Sequence, residues 1–248
     1  METPTPDREE ILPDRRATIP QKTTLSGTLV TIVPLHPPSH GDSLFEAVCG
    51  SRQDDLWTYL FDGPFSERAA FYSYLHNNAA SRDPLFFAIV DNRSGKAVGH
   101  AAYMRVEPNH RVIEVGSILY SPELQRTPGA TEAMYLMARH VFEELGYRRY
   151  EWKCDASNEP SRKAALRLGF RFEGIFRQHM IIKGKNRDTA WFSMLDREWP
   201  GCRRAFERWL APANFDESGI QRVGLAALRH AQHFQRRIQP FPDVSEQD

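Results

Sequence analysis

The chain has 248 residues, 41% of them hydrophobic, and its 32 basic residues balance 32 acidic ones. This length and apolar content provide one generous domain with appendages or two small domains, and they exclude disorder of the whole. The charge balance leaves no overall field to draw in nucleic acid or an anionic membrane surface, and the widely spaced Cys49, Cys154 and Cys202 form neither a disulfide framework nor a zinc-ligand pattern.

Residues 1–24 are polar and Pro-rich, without an apolar run of signal-peptide length, and are expected to form a flexible tail. No later segment reaches membrane-span length, so the cytosol, with the nucleus as alternative, is the expected compartment. The fold is expected to begin near Leu25. The β-branched run TLVTIVPL predicts a first strand that stops before Pro37-Pro38, and Ser39 to Cys49 predicts a short helix. A second helix is predicted after Gly63-Pro64, with Ser66 as its cap, and between the two helices lies a loop containing Trp57, Tyr59 and Phe61.

PLFFAIVD and AVGHAAYMRV, joined at Asn92-Arg93-Ser94-Gly95, predict a hairpin, and VIEVGSILY adds a third strand to that meander. Thr131 to Leu145 has apolar residues at helical spacing and stops at Gly146. RRYEWKCD predicts a strand, Glu159 to Leu168 a helix closed by Gly169, and FRFEGIFRQHMII with DTAWFSMLD a terminal hairpin. The expected fold class is therefore α/β (α+β), a single mixed but mostly antiparallel sheet of six or seven strands flanked by helices. Residues 25–199 would form this domain, and residues 200–248 a helical extension built from CRRAFERWL and IQRVGLAALRHAQHF.

The chemistry concentrates between Glu114 and Asp188. SPELQRTPGATEA joins a strand to a helix N-terminus, where free backbone N–H groups and the helix dipole favour a phosphate. Gln125, Arg126 and Thr127 supply polar groups there, while Gly129 and Ala130 permit close approach to the backbone; a plain turn and cap has the same composition.

The run Gln125-x-x-Pro128-x-Ala130 followed by Thr131-Glu132-Ala133 resembles the Q/R-x-x-G-x-G/A loop of GNAT acetyltransferases, in the "ATEA" form of the Rim-type ribosomal-protein N-terminal acetyltransferases. Asn158-x-x-Ser161, Leu168-Gly169-Phe170 and Glu173-Gly174 resemble a second block of that subgroup. The resemblance runs from about Gly27 to Trp199, and it implies acetyl-CoA as co-substrate and direct acetyl transfer to an amine. It also implies cofactor contacts from Gln125, Arg126, Thr127, Gly129, Ala130, Thr131 and Asn158, and thioester-polarising backbone donors near Ile118 and Leu119. Pro128 stands where the family has glycine and has no N–H to offer.

The tyrosine acid of many relatives corresponds to Ala165, so Ser161, matching a serine proposed in the Rim-type enzymes, is the expected proton donor; a first-turn hydroxyl bonded to its own helix is the alternative. Cys154 coincides with a cysteine near the active site of those enzymes, or is plain core. The subgroup's glutamate base falls on Met180, which leaves Glu114 as the candidate base and acceptor contact, with His110 and His179 as backups. An ion pair from Glu114 to Arg105 or Arg111 is the alternative for that residue. Trp57, Tyr59 and Phe61 are candidates for the acceptor wall, or else core staples. Arg187 and Asp188 in the terminal hairpin could pair with each other or meet substrate.

The expected activity is acetylation of a primary amine on a small molecule, amino acid or peptide, by a monomer or homodimer without metal, nucleic acid or membrane. Acetylation of a protein N-terminus is a second reading. A non-catalytic acyl-CoA-binding module, motivated by Pro128 and the missing tyrosine, is a third.

Overall fold

The computed structural model describes residues 16–229. Strands β1 (Leu25–Ser26), β2 (Val30–Pro34), β3 (Leu85–Asp91), β4 (Ala97–Glu107), β5 (Val112–Tyr120), β6 (Arg149–Asp155), β7 (Arg171–Ile182) and β8 (Lys185–Leu195) form one sheet in the order β1-β2-β3-β4-β5-β6-β8-β7. Every pairing is antiparallel except β5 with β6, which is parallel. That pair requires a crossover, and helix α3 (Pro128–Arg139) lies in it. Eight strands replace the expected six or seven: the two-residue β1 is too short to leave a sequence pattern, and the remaining seven correspond to predicted runs.

Alternation along the strands sorts side chains onto two faces. Leu85, Phe87 and Ile89 join Ala101, Tyr103, Ile113, Val115 and the buried side of α3 in one core. Phe86, Ala88, Ala102 and Leu119 join Leu44 and Val48 of helix α1 (Pro37–Val48) and Phe71 and Leu75 of helix α2 (Arg68–Ala80) in the other. The α2 cap is Glu67 rather than Ser66, and its side chain makes no capping bond.

Glu132, within the ATEA run, serves the fold. Its buried carboxylate accepts the backbone N–H groups of Thr28, Leu29 and Val30 at 2.9, 2.6 and 2.8 Å, tying α3 to the entry of β2. A Cβ at Gly27 would lie 2.5 Å from that carboxylate, which accounts for a glycine in the turn.

Two expected boundaries move. Ala17 is buried, its N–H donates to the Pro108 carbonyl, and that of Thr18 donates to Leu145, so packing begins before Leu25; the rest of the expected tail, residues 1–15, lies outside the described residues. The central helix ends as an α-helix at Arg139 and continues as a π-turn over His140–Glu144, where the Leu145 N–H reaches back five residues to the His140 carbonyl. Tyr103 Oη donates to the Met137 carbonyl at 2.9 Å, which occupies a helix acceptor where the wider turn begins.

Helix α4 (Glu159–Leu168) closes on Gly169 at φ 110°, as its sequence implies. Helix α5 (Trp199–Leu210) packs on α3 through Trp199 and Phe206 against Tyr135. The second C-terminal helix begins at residue 225 and not near Ile220, because Asp216 binds the N–H groups of Ser218 and Ile220 and folds that stretch into a turn; its continuation lies outside the described residues. Among the described residues no helix is long and apolar enough to cross a membrane.

Candidate active site

The parallel ladder between β5 and β6 joins Val112–Val115 to Arg149–Trp152 and goes no further, although β5 runs on to Tyr120 and β6 to Asp155. The two strands therefore part and leave one edge of residues 116–120 facing a cleft. Ser117 marks the divergence with a positive φ of 47°, within an irregularity of the β4–β5 register. Fully buried His100 braces the bulge: its Nδ1 lies 2.9 Å from the Ser117 carbonyl oxygen, and its Nε2 lies 3.0 Å from Tyr74 Oη. Since a carbonyl only accepts, His100 carries its proton on Nδ1 and accepts the hydrogen bond of the Tyr74 hydroxyl at Nε2. Burial lowers the His100 pKa to about 4 and keeps the ring neutral.

A cavity of about 250 Å³ opens where the strands part. Ile118, Glu114, Asn158 and Ser161 line it, together with Tyr59 and Phe61 from the loop after α1. Leu119 contributes no side chain, since that is buried on the α1–α2 face. Asn158 caps α4, its Oδ1 accepting the Ser161 N–H at 3.0 Å. Ser161 Oγ in turn accepts Trp152 Nε1–H at 3.0 Å. An indole can only donate, so this bond occupies a serine lone pair and leaves the hydroxyl proton free to turn elsewhere. Cys154 lies beside Ser161 on the cavity wall, and burial raises its thiol pKa, so it behaves as a neutral thiol.

Glu114 is 5% exposed and bonds Lys153 Nζ at 2.9 Å, with Arg105 Nε at 3.6 Å. The anticipated ion pair to Arg105 is present, but Lys153 is the closer partner. Lys153 also meets Glu151 at 2.7 Å and lies 3.8 Å from the centre of the Trp191 ring. Burial pushes the Glu114 carboxyl above its ordinary value, against the opposing pull of Lys153 and Arg105. The result is a shielded carboxylate whose proton affinity is set by burial against the charges of Lys153 and Arg105.

Three site expectations need correction. Trp57 is 1% exposed, donates Nε1–H to the Val48 carbonyl at 2.8 Å and stacks edgewise on Phe65, Phe71 and Tyr74; it staples the core and does not line the cavity. His110 sits in the exposed β4–β5 turn, away from the cavity, whereas His179 and Met180 do line it. At the loop before α3, Thr127 Oγ1 already accepts the Ala130 N–H at 3.2 Å, and Thr131 Oγ1 accepts Arg167 at 3.0 Å while buried. With Pro128 lacking a donor, the Gly129 N–H remains among the first-turn amides. Arg126 stands exposed beside it at φ 61°, an unusual conformation for a non-glycine residue. Gln125 Nε2 is held by the Tyr120 carbonyl at 3.2 Å. The Gly129 N–H has no side-chain partner but belongs to a buried residue, so the exposed Arg126 guanidinium is the accessible cation at this helix start, on fewer backbone donors than the glycine-rich form has.

Lys153, Trp152 and His100 were not anticipated. Lys153 had a signal: Arg149, Glu151 and Lys153 alternate with the apolar Tyr150, Trp152 and Cys154, which reads as a charged stripe on one face of an otherwise buried strand. His100, isolated in an apolar run, had none.

The acetyltransferase (GNAT) domain model matches residues 30–171, more than half of the chain. The chain is similar to a GCN5-related N-acetyltransferase from Brucella melitensis, at 49% identity and a TM-score of 0.86, over 87% of this chain and 98% of that one. It is similar to a provisionally assigned GNAT acetyltransferase from Chromobacterium violaceum, at 39% identity and a TM-score of 0.74, over 81% of this chain and 100% of that one. YdaF of Bacillus subtilis, provisionally named a ribosomal N-acetyltransferase, is 29% identical over 107 residues, 43% of this chain and 58% of that relative. With the family model spanning β2 to α4, including the parted strands β5 and β6, the chain belongs to the GNAT family of N-acetyltransferases.

Proposed function

We propose that this enzyme transfers the acetyl group of acetyl-CoA directly to the primary amine of a small molecule, amino acid or short peptide. The observation that carries this reading is a single cavity bounded by the parted edge of β5, the Ser161 hydroxyl and the buried Glu114 carboxylate. Acetyl-CoA supplies a thioester-activated acetyl group. Arg126 and the Gly129 amide hold its pyrophosphate, Gln125 and Thr127 shape the loop, and Asn158 fixes the start of α4 beside the parted strands.

Glu114 accepts the ammonium proton of the acceptor, directly or through water, which frees the nitrogen lone pair. Backbone N–H groups of the Ile118–Leu119 edge polarise the thioester oxygen as the amine adds to the carbonyl carbon. Ser161, oriented by the Trp152 indole, then gives its proton to the departing sulfur and regains one from the protonated nitrogen of the adduct, directly or through water, which leaves a thiol, a neutral amide and the restored hydroxyl. Placement of the amine near the thioester supplies most of the acceleration, and no covalent enzyme intermediate is needed.

Tyr59 and Phe61, on a loop tied to the terminal hairpin by Lys183 Nζ donating to the Trp57 carbonyl at 2.8 Å, narrow the acceptor side and favour a small acceptor. Thiol release with acetyl-CoA and amines graded from free amino acids to folded proteins is the test. Turnover with small amines supports this reading. Turnover confined to protein N-termini would replace it, and tight acetyl-CoA binding without turnover on any amine would overturn it.

A further inference from the structure

Arg187, on β8, is 8% exposed and lines the cavity. Its Nε has no hydrogen-bond partner among the described residues, and the ion pairs around the cavity go to Arg105, Lys153 and Arg149 instead. The guanidinium lies 5.6 Å from the centre of the Phe61 ring, a contact that leaves its fork unpaired. Asp155, the nearby carboxylate at the end of β6, is engaged with its own turn: Oδ1 accepts the Ser157 N–H at 2.8 Å and its Oγ at 2.6 Å.

An arginine stays charged at all physiological pH, and a buried charge without a partner is costly unless a counter-charge arrives. Of the three cations on the cavity wall, Arg105 pairs with Glu114 and Lys153 with Glu114 and Glu151, whereas Arg187 makes no ion pair among the described residues, Asp155 and Glu114 acting on it only at longer range. A planar guanidinium matches a carboxylate with two parallel N–H···O bonds.

We propose that Arg187 is the acceptor-specificity residue and that the acceptor is a small amine bearing a carboxylate, of the amino-acid class. This rests on the acetyl-transfer reading of the same cavity. One end of such an acceptor presents its nitrogen to Glu114, and the other presents its carboxylate to Arg187. Amines of equal size without the negative charge leave Arg187 unpaired and bind poorly.

The test measures binding and not turnover. Protein saturated with coenzyme A is titrated calorimetrically with N-acetyl amino acids, each as the free acid and as the neutral methylamide. The free acids are expected to bind roughly ten- to hundred-fold more tightly than their amides. Arg187→Gln should abolish that preference, and Arg187→Lys, which keeps the charge, should retain part of it. Equal binding of acids and amides to the unaltered protein, or absence of binding by both, overturns the proposal, as does a preference that survives Arg187→Gln. The acid–amide comparison needs no variant, so a misfolded mutant cannot mask the outcome. Failure of acetyl transfer would strike the reading of the cavity but leave this preference measurable; turnover indifferent to a carboxylate would strike Arg187 alone.

Discussion

The Nδ1 of His100 lies 2.9 Å from the carbonyl oxygen of Ser117, and this bond joins the fully buried ring to the bulge at which β5 leaves β6. Because burial lowers the His100 pKa to about 4 from 6.5, the fold favours the neutral ring. Above pH 6.5 both folded and unfolded chains hold His100 neutral, and its contribution is fully present. As the pH falls from about 6.5 to about 4 the unfolded chain gains a proton that the folded one resists, and stability is lost across that window, by on the order of 3 kcal/mol. Urea unfolding from pH 7 to pH 4 should show this loss. His100→Asn, which keeps a donor for Ser117 but does not titrate, should be less stable at pH 7 and lack that component of the acid sensitivity; an equal acid loss in the variant would assign it elsewhere.

Lys153 is expected to set the acid limb of the pH–rate profile. Burial raises the Glu114 pKa and Lys153 opposes that rise, so Lys153→Met removes the opposing charge and lifts the carboxyl further. Glu114 must be ionised to accept the ammonium proton, so the acid limb of kcat/KM should move to higher pH. Glu114→Gln should lower kcat/KM and abolish that limb. A limb unmoved by Lys153→Met would mean that it reports another group.

Ser161→Ala should lower turnover, on the order of a hundred-fold, with little change in acetyl-CoA affinity, because the hydroxyl acts on the departing sulfur. Trp152→Phe removes the indole donor to Ser161 and should reproduce part of that loss. Unaltered turnover in Ser161→Ala would reduce the residue to the first turn of α4.

Arg126→Glu should weaken acetyl-CoA binding by roughly ten- to hundred-fold and remove most of the ligand-induced rise in melting temperature, since the exposed cation at the α3 start becomes an anion. An undiminished shift would place the pyrophosphate away from the α3 start.

The elements were legible wherever local signals agreed: α4 spans Glu159–Leu168 and closes on left-handed Gly169, as its N-cap asparagine and trailing glycine imply. Features that depend on distant partners were not. The π-turn at His140 coincides with a hydroxyl arriving from Tyr103 on β4. Trp57 and Phe61 are alike in sequence, yet one has a carbonyl partner inside the core and the other faces the cavity. Lys153 was visible only as one member of a charged stripe alternating with apolar residues, because its role is defined by Glu114 on a different strand. The resemblance to GNAT enzymes pointed to the loop before α3, but not to Thr127 already claiming one of its amides.

The C-terminal segment is expected to hold helices α3 and α4 in place and not to contact acetyl-CoA itself. Trp209, Leu225 and Leu228 are 3%, 2% and 5% exposed within the main core. The Trp209 ring lies 4.8 Å from the guanidinium of Arg167, which bonds Thr131 on α3 at 3.0 Å, so α5 braces the link between α3 and α4. Arg229 adds a C-terminal cap, donating to the Leu166 carbonyl at 2.8 Å and also to that of Arg167. Trp209→Ala should therefore destabilise the protein by about 3–5 kcal/mol, the range for truncating a large buried aromatic. Deleting residues 201–248 should cause aggregation, because Tyr135 and the Phe170 side of the sheet lose their cover. A shortened protein that remains soluble with an unchanged melting point would show that these contacts carry no stability. Loss of acetyl-CoA binding in a protein with an unchanged melting point would instead assign the segment a direct part in the cofactor site.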